Sequence, residues 1–359
     1  MKKLFLAAAM LALAVTSCQK TEDLAGNTGN QADVRIAVNL PAEMNAVRSQ
    51  ENPGIGDMVN RCIMEIYLDG ELYGERQVAA VENKQTSFSA RLVSGKTYKF
   101  VFWADCAEGT TADNFADKHY ATDDLSNVSI LDPAQYSGSN DERDAFFAVK
   151  EVEVSTATTV SAELRRPFGQ LNVKTLDMND VPKSLRPTKV ALTFDEVPTG
   201  INLLTGELTQ QTAAVAYAES HELADASGNL SFDYVFAPQT AGEQRLVNFT
   251  MSFLDDAGTQ VASDYEFTNI PVQRNYRTNV SGNLLTKKAD ITVTVDPVFG
   301  DEDIDHTITE AATIEELNKA LAEGAENVVL TQAPTEDSQI TIPHDYSIEN
   351  KEISISLPA

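Results

Sequence analysis

The residues that could support catalysis are four histidines and a large excess of carboxylates. His119, His221, His306 and His344 are far apart in the sequence, and none belongs to an H-E-x-x-H pattern, in which two histidines on one helix face hold zinc. The chain also lacks the G-x-S-x-G turn that exposes a serine nucleophile and the glycine-rich loop that binds phosphates. Glycoside hydrolysis needs two opposed carboxylates, and nothing in the sequence selects such a pair. We therefore predict no catalytic residues and a protein that is not an enzyme.

An acidic stretch near the C-terminus comes closest to a metal-binding pattern. Asp301, Asp303 and Asp305 have the spacing that begins a calcium-binding loop. Such a loop needs glycine at its sixth position and glutamate at its twelfth, where this chain has His306 and Ala312. The acidic residues between 113 and 144 are a second candidate, for a cation bound where loops cross. We predict no metal site and no cofactor.

Two of the three cysteines could form a disulfide. Cys62 opens one predicted strand and Cys106 closes another, so a β-sandwich could bring them together. A disulfide is permitted in proteins that leave the cytoplasm. The alternative is that Cys62 and Cys106 are two buried free thiols.

Composition excludes some classes of partner. The 359 residues include 27 Lys and Arg against 54 Asp and Glu, which gives a net charge of −27. Nucleic acid binding requires basic clusters, and negative protein charge does not attract a chain to an anionic lipid surface. Hydrophobic residues make up 42% of the chain, which indicates a folded protein, and the length predicts about two domains.

The first seventeen residues have the parts of a secretion signal. Lys2 and Lys3 precede an apolar run at residues 4–15, which is too short to span a bilayer about 30 Å thick. Residues 15–18 (Val-Thr-Ser-Cys) resemble a bacterial lipobox; this resemblance implies cleavage before Cys18 and acylation of its thiol. Acyl chains contribute about 0.8 kcal/mol for each buried CH₂, so several of them would anchor the protein to outer-membrane lipid. The alternative is an ordinary signal peptide with an incidental cysteine.

Residues 18–32 are polar and rich in Gly and Asn, which predicts a flexible tether. Within them, residues 19–23 (Gln-Lys-Thr-Glu-Asp) resemble the surface-export signal of Bacteroidetes lipoproteins. That resemblance implies a lipid-anchored protein on the cell surface. The alternative is that residues 19–23 are only a solvated tether and carry no export signal.

The body of the chain is patterned for strands. Residues 33–40 alternate apolar and polar side chains, as do residues 86–93 and 97–104, and period-two alternation is typical of half-buried strands. Short strands follow one another on both sides of a junction at residues 165–169. This spacing predicts an all-β fold with two tandem β-sandwiches, at residues 33–166 and 167–298. Residues 105–145 are acidic and poor in apolar residues, so we predict a long loop with a short helix there.

Three segments of this strand pattern resemble the fimbrillin-like lipoproteins of Bacteroidetes, which build type V pili. They are residues 98–105 (Tyr-Lys-Phe-Val-Phe-Trp-Ala-Asp), 164–171 (Leu-Arg-Arg-Pro-Phe-Gly-Gln-Leu) and 274–285 (Arg-Asn-Tyr-Arg-Thr-Asn-Val-Ser-Gly-Asn-Leu-Leu). The resemblance covers roughly residues 33–296, together with the lipobox-like start. It implies that both sandwiches are transthyretin-like and that the protein has a structural or adhesive role.

The resemblance also implies a mechanism of assembly. In these pili an Arg-specific protease removes the N-terminal strand of a subunit, and a strand of the next subunit fills the groove. Here the removable strand would be residues 33–40, and Arg48 would be the cleavage site. The alternative is that residues 33–40 form a permanent strand and that Arg48 is an ordinary surface arginine.

The C-terminal region departs from the family pattern. After an acidic linker, residues 299–359 carry a short predicted helix that begins near Thr313, followed by strand-like runs, which predicts a small α/β tail. This tail resembles the N-terminal cap of a right-handed parallel β-helix. A stalk subunit is therefore a weaker expectation than an anchor, tip or accessory subunit. A monomeric surface module that binds glycan or host protein, and the non-catalytic part of a longer β-helix protein, are the alternatives.

Overall fold

The computed structural model describes residues 30–41, 56–131, 133, 136, 138–155, 157–212, 215–216, 221–223, 228–286, 289–296, 309–311, 313–322, 327–330 and 354–356. Cys18, Arg48, the predicted signal peptide and most of the predicted tail lie outside these ranges. The described residues are dominated by strands, which confirms the predicted all-β class. No helix in the described ranges is both long and apolar enough to cross a membrane.

The first sandwich consists of two facing sheets. Its segment of the chain contains ten strands: β1 (Gln31–Asn39), β2 (Arg61–Leu68), β3 (Glu71–Leu72), β4 (Gln77–Ala80), β5 (Gln85–Val93), β6 (Thr97–Asp105), β7 (Tyr120–Ala121), β8 (Val128–Ile130), β9 (Phe146–Glu153) and β10 (Ala157–Glu163). One sheet has the order β10-β1-β5, and the other has the order β3-β2-β6-β9 with β4 also paired to β2. Alternate side chains of both sheets meet in one apolar core, which includes Phe88, Phe100 and Phe102. The tether predicted for residues 18–32 ends earlier than expected, because Gln31 and Ala32 already belong to β1.

The second sandwich repeats this plan. Its strands are β11 (Phe168–Thr175), β12 (Lys189–Phe194), β13 (Val197–Ile201), β14 (Leu208–Thr212), β15 (Val215–Ala216), β16 (His221–Glu222), β17 (Asn229–Phe236), β18 (Gln244–Leu254), β19 (Gln260–Gln273), β20 (Arg277–Asn283) and β21 (Ala289–Asp296). One sheet has the order β17-β11-β20-β21, and the other contains β15-β12-β18-β19, with β16 also paired to β12. The sequence pattern predicts two strands, at residues 260–262 and 265–270, but one continuous strand, β19, covers both.

The two sandwiches are topologically equivalent around their first strands. β1 is antiparallel to β5 and parallel to β10, and β11 is antiparallel to β17 and parallel to β20. The two sandwiches differ at one edge. In the second, β21 pairs with β20 and extends the sheet, whereas in the first the sheet ends at β10, the counterpart of β20. The boundaries predicted at residues 166 and 298 stay predictions.

A third apolar cluster joins the sandwiches. Trp103 contributes from the first sandwich, Tyr120 from the intervening segment, and Phe168 and Phe236 from the second. The rings of Phe168 and Phe236 have centroids 4.6 Å apart, and those of Trp103 and Tyr120 are 5.3 Å apart. Aromatic pairs at such distances stabilise a fold beyond the area that they bury.

The segment at residues 105–145, which is predicted as a long loop with a short helix, helps to build this junction. It contains β7, β8 and a 3₁₀ helix at Asp141–Arg143, and β8 pairs with β13 of the second sandwich. Tyr136 is fully buried in the core of the second sandwich. Its hydroxyl accepts a hydrogen bond from the Tyr234 backbone N–H at 3.4 Å, so this segment covers part of the β17 edge.

The described part of the tail contains one helix, α1 (Ile314–Ala322), and three strands, β22 (Thr309–Ala311), β23 (Asn327–Leu330) and β24 (Ser354–Ser356). The strands form a parallel sheet in that order, in agreement with the predicted small α/β tail. The Thr313 hydroxyl accepts a hydrogen bond from the Glu316 backbone N–H at 3.2 Å, as the predicted helix start requires. The β-helix resemblance stays a prediction.

Candidate functional site

The first strand divides its side chains cleanly between the core and the surface. Ala32, Val34, Ile36 and Val38 are each 1% exposed, whereas the alternate residues Asp33, Arg35 and Ala37 are exposed. The alternation follows from the strand geometry, which points successive side chains to opposite faces. β1 therefore presents one continuous apolar stripe to the core of the first sandwich.

β1 is the central strand of its sheet and is paired along its whole length. Nine residue pairs join it to β5, and seven join it to β10. Ile36 lies opposite Phe88 on one side and Val160 on the other. The pairing extends past the strand, since Leu40 donates to the Lys84 carbonyl at 2.9 Å. Without β1, both neighbours would lose their hydrogen-bond partners and the core would lose an apolar stripe.

The energetic cost of an empty groove would be large. Burial of a Val or Ile side chain is worth about 1.5 to 3 kcal/mol, and β1 buries Val34, Ile36 and Val38 almost completely. The exposed edges of β5 and β10 would add unpaired backbone groups, which are a template for another strand. An extended peptide with the same alternation could satisfy both needs through β-augmentation.

The covalent connection of β1 differs from that of its counterpart. β1 is the first described strand, and its only link to β2 runs through residues 40–60. One cut in that link would therefore separate β1 from all later strands. β11 holds the equivalent place in the second sandwich but is joined to described strands at both ends, so a single cut cannot free it. Arg48 lies within the link but outside the described residues.

The two cysteines of the first sandwich are not bonded to each other. Cys62 and Cys106 are both buried free thiols. Cys62 belongs to the apolar core, whereas Cys106 lies beyond the end of β6, within the electrostatic influence of Glu142 and Lys118. Burial raises the pKa of the Cys62 thiol and raises that of Cys106 to about 11. Both thiols are therefore protonated and unreactive at neutral pH.

Several acidic residues of the 105–145 segment serve as structural partners. Asp105 accepts two hydrogen bonds from the Arg61 guanidinium, at 2.8 and 2.7 Å, and Asp117 accepts a third at 2.8 Å. Asp144 forms a bidentate pair with Arg166. Within the described ranges, no group of three or more His, Cys, Asp or Glu side chains could hold a metal ion. These carboxylates are therefore ion-pair partners within the fold and at its junction.

The predicted histidines do not come together as a site. His119 is buried and its Nε2 lies 3.2 Å from a carboxylate oxygen of Glu142. Burial and the charge of Arg143 lower the pKa of His119. His221 lies in β16 of the second sandwich, while His306 and His344 fall outside the described residues. Sequence reasoning missed Tyr136, whose hydroxyl bonds to the backbone of Tyr234, 98 residues away, because a contact between distant segments leaves no local pattern.

These features define a tandem β-sandwich protein whose first strand fills a groove that an added strand could occupy. The chain belongs to DUF6562, a family of unknown function, and the family model matches residues 26–331. No curated protein matches the chain.

Several solved structures are similar to it. A candidate cell adhesion protein from Bacteroides eggerthii is 13% identical, with a TM-score of 0.45, and the match covers 76% of this chain and 98% of that one. The tip fimbrial protein Mfa3 from Porphyromonas gingivalis is 12% identical, with a TM-score of 0.43 and coverage of 74% and 99%. A fimbrial assembly protein from Parabacteroides distasonis is 11% identical, with a TM-score of 0.39 and coverage of 74% and 98%.

Proposed function

We propose that this protein is a non-enzymatic adhesion or pilus subunit, anchored to the outer membrane by acyl chains on Cys18 and displayed on the cell surface. Subunits assemble when the link after β1 is cut, β1 leaves, and a strand from a second pilin subunit enters its groove. The position of β1 carries the proposal: it is the central, fully paired strand of its sheet, yet one cut in the chain would free it. The lipobox-like residues 15–18 and the fimbrillin-like segments of the sequence support the anchor and the role.

The energetics favour exchange over simple loss of the strand. A groove that has lost three buried aliphatic side chains and two rows of backbone partners is unstable on its own. Intact β1 is held tightly, so exchange requires the cut, which allows β1 to leave the sheet independently of the rest of the chain. Arg48 is the proposed position of that cut.

Peptide exchange tests the proposal directly. The purified chain is treated with an Arg-specific protease, the protease is inhibited because the probe contains Arg35, and a fluorescent peptide of residues 31–40 is added. We expect the peptide to bind only after cleavage, and an Arg48→Lys variant to bind none, because lysine keeps the charge but resists the protease. A control peptide with serine in place of Val34, Ile36 and Val38 should not bind. Equal binding of both peptides, or binding without cleavage, would contradict the mechanism.

The competing function is a monomeric surface module that binds a glycan or a host protein. That function requires neither cleavage nor exchange. A cleaved chain that retains its own β1 and binds no strand peptide would favour it.

A further inference from the structure

A cleft between the two sandwiches has a charge opposite to that of the chain as a whole. Its volume is about 350 Å³, and its walls come from both sandwiches. Lys150, Arg165 and Arg274 line it, and Glu163 is the only acidic side chain among its lining residues. The whole chain has twice as many acidic as basic residues, so three basic groups at one small cleft form a local positive site.

Within the described part of the chain, the basic groups of this cleft have no acidic partner. Among the described residues, no carboxylate lies within ion-pair distance of Lys150, Arg165 or Arg274. By contrast, Arg61 and Arg76 each have a carboxylate oxygen at 2.7 Å. Burial and the charge of the neighbouring Arg165 lower the pKa of Arg274. Both guanidinium groups belong to residues that line the same cleft, and an anion bound there would offset the repulsion between them.

One of the two guanidinium groups is held in position before any ligand arrives. Arg274 donates from Nη1 to the Gln239 Oε1 at 3.2 Å. Gln239 is itself fixed, because its Nε2 donates to the carbonyl oxygens of Ala237 at 2.6 Å and of Pro167 at 3.2 Å. The backbone of Arg165 is fixed by two hydrogen bonds with Phe147, each of 2.9 Å. Preorganised donors bind a ligand without the cost of ordering them first.

The remaining walls of the cleft are partly polar, at Thr205 and Gln239, and partly apolar. Phe147, Leu203 and Leu204 line it beside the charged groups. A ligand that matches this arrangement has one carboxylate and a compact body with a partly apolar face. The volume suits a small ligand and is too small to enclose a length of extended peptide.

We propose that this cleft binds an acidic saccharide, with the sugar carboxylate between Arg165 and Arg274 and the ring against Leu203 and Leu204. Lys150 adds a third positive charge at the rim. No residue of β1 lines the cleft, although Glu163 at its edge pairs with Asn39 of β1. Binding in the cleft therefore requires neither cleavage nor strand exchange.

Binding of simple sugars to the purified full chain tests this inference. Methyl glucuronide and methyl glucoside differ in the carboxylate, and titration calorimetry or ligand-detected NMR measures the affinity of each. We expect the glucuronide to bind at least tenfold more tightly, and Arg165→Gln and Arg274→Gln each to weaken its binding by about tenfold or more, as loss of a charge-assisted hydrogen bond does. Arg91→Gln, at an exposed position of β5 outside the cleft, should leave the affinity unchanged.

Thermal unfolding of each variant serves as the check on folding. It should stay close to the wild type, because neither cleft arginine has an ion-pair partner among the described residues and Arg274→Gln loses only the hydrogen bond to Gln239. Equal affinity for the glucoside, or glucuronide binding that survives both cleft substitutions, would overturn the inference. A glutamate-containing tripeptide that binds as tightly as the glucuronide would also overturn the assignment to a saccharide.

Discussion

The buried ion pair at the domain junction allows a quantitative test of how the two sandwiches are held. Asp144 and Arg166 are each about 1% exposed, and two hydrogen bonds of 2.7 Å join them. Burial raises the pKa of Asp144 in spite of the charge of Arg166, so desolvation opposes the pair even while the partners attract each other. Such a pair contributes little net stability, but loss of one member leaves a buried charge uncompensated.

We therefore expect Asp144→Asn or Arg166→Met alone to lower the free energy of unfolding by about 3 to 5 kcal/mol. Asp144→Leu combined with Arg166→Met should cost far less than the sum of the single changes, because it removes both charges together. Urea unfolding measures each value, and the chain's single tryptophan, Trp103, reports on the junction because it lies in the shared apolar cluster.

A matched control exists on the surface of the same sandwich. Lys99 and Glu151 form an exposed pair at 3.3 Å, so Glu151→Gln should cost less than about 1 kcal/mol. Single junction variants that cost as little as this control would refute the reasoning. Additive costs in the double variant would also refute it.

Three further substitutions test other parts of the fold by urea unfolding. Asp233→Asn should raise the free energy of unfolding at pH 8 by about 2 to 4 kcal/mol, and should change it little at pH 4. Burial raises the pKa of Asp233 to about 7, so the wild-type carboxyl stabilises the fold when it is protonated at low pH. This contribution is lost as the pH rises through 7. If Asp233→Asn left the dependence of the unfolding free energy on pH unchanged, the result would contradict this reasoning. Tyr136→Ala should cost about 3 to 5 kcal/mol because it empties a buried site, while Tyr136→Phe should cost only about 1 kcal/mol; equal costs would show that packing is not the cause. Gly169→Ala should cost about 1 to 3 kcal/mol, since an added Cβ would lie 2.5 Å from Val272 Cγ1, and a neutral result would show that β11 can shift.

Local pattern was sufficient for the strands that bury one face. The alternation at residues 33–40 predicts β1 to within two residues of its observed bounds. The pattern at residues 189–194 also predicts a strand, and β12 has the same bounds. In each case every second side chain enters a core, so the period in the sequence is the period of the structure.

The junction could not be predicted in the same way. Tyr136 lies in an acidic segment with few apolar neighbours in sequence, and its partner Tyr234 is 98 residues away. The pairing of Asp144 with Arg166, and of Arg61 with Asp117, likewise depends on the folded arrangement. The same charges in sequence are typical of a solvated loop, so only the tertiary structure distinguishes a buried partner from a surface acid.

The sequence pattern also could not predict that β1 lies between β5 and β10. Alternation shows that a strand has one buried face, but it does not say whether the strand is central or at an edge. The proposed exchange depends on that difference, because a central strand leaves two unpaired neighbours when it departs. The cleft that contains Arg165 and Arg274 depends on contacts between segments more than 100 residues apart in the sequence, and no local spacing predicts it.

The most direct test of strand exchange is the size distribution of the protein after cleavage, with β1 either free to leave or locked in place. Ala37 and Ser87 are exposed and lie opposite each other in the β1–β5 register, so an Ala37→Cys and Ser87→Cys pair can lock β1 by a disulfide. After Arg-specific proteolysis, native mass measurement should show a ladder of oligomers for the wild type, monomers for the oxidised locked variant, and the ladder again once that variant is reduced. Complete cleavage that leaves the wild type monomeric, or a ladder from the oxidised locked variant, would contradict the mechanism.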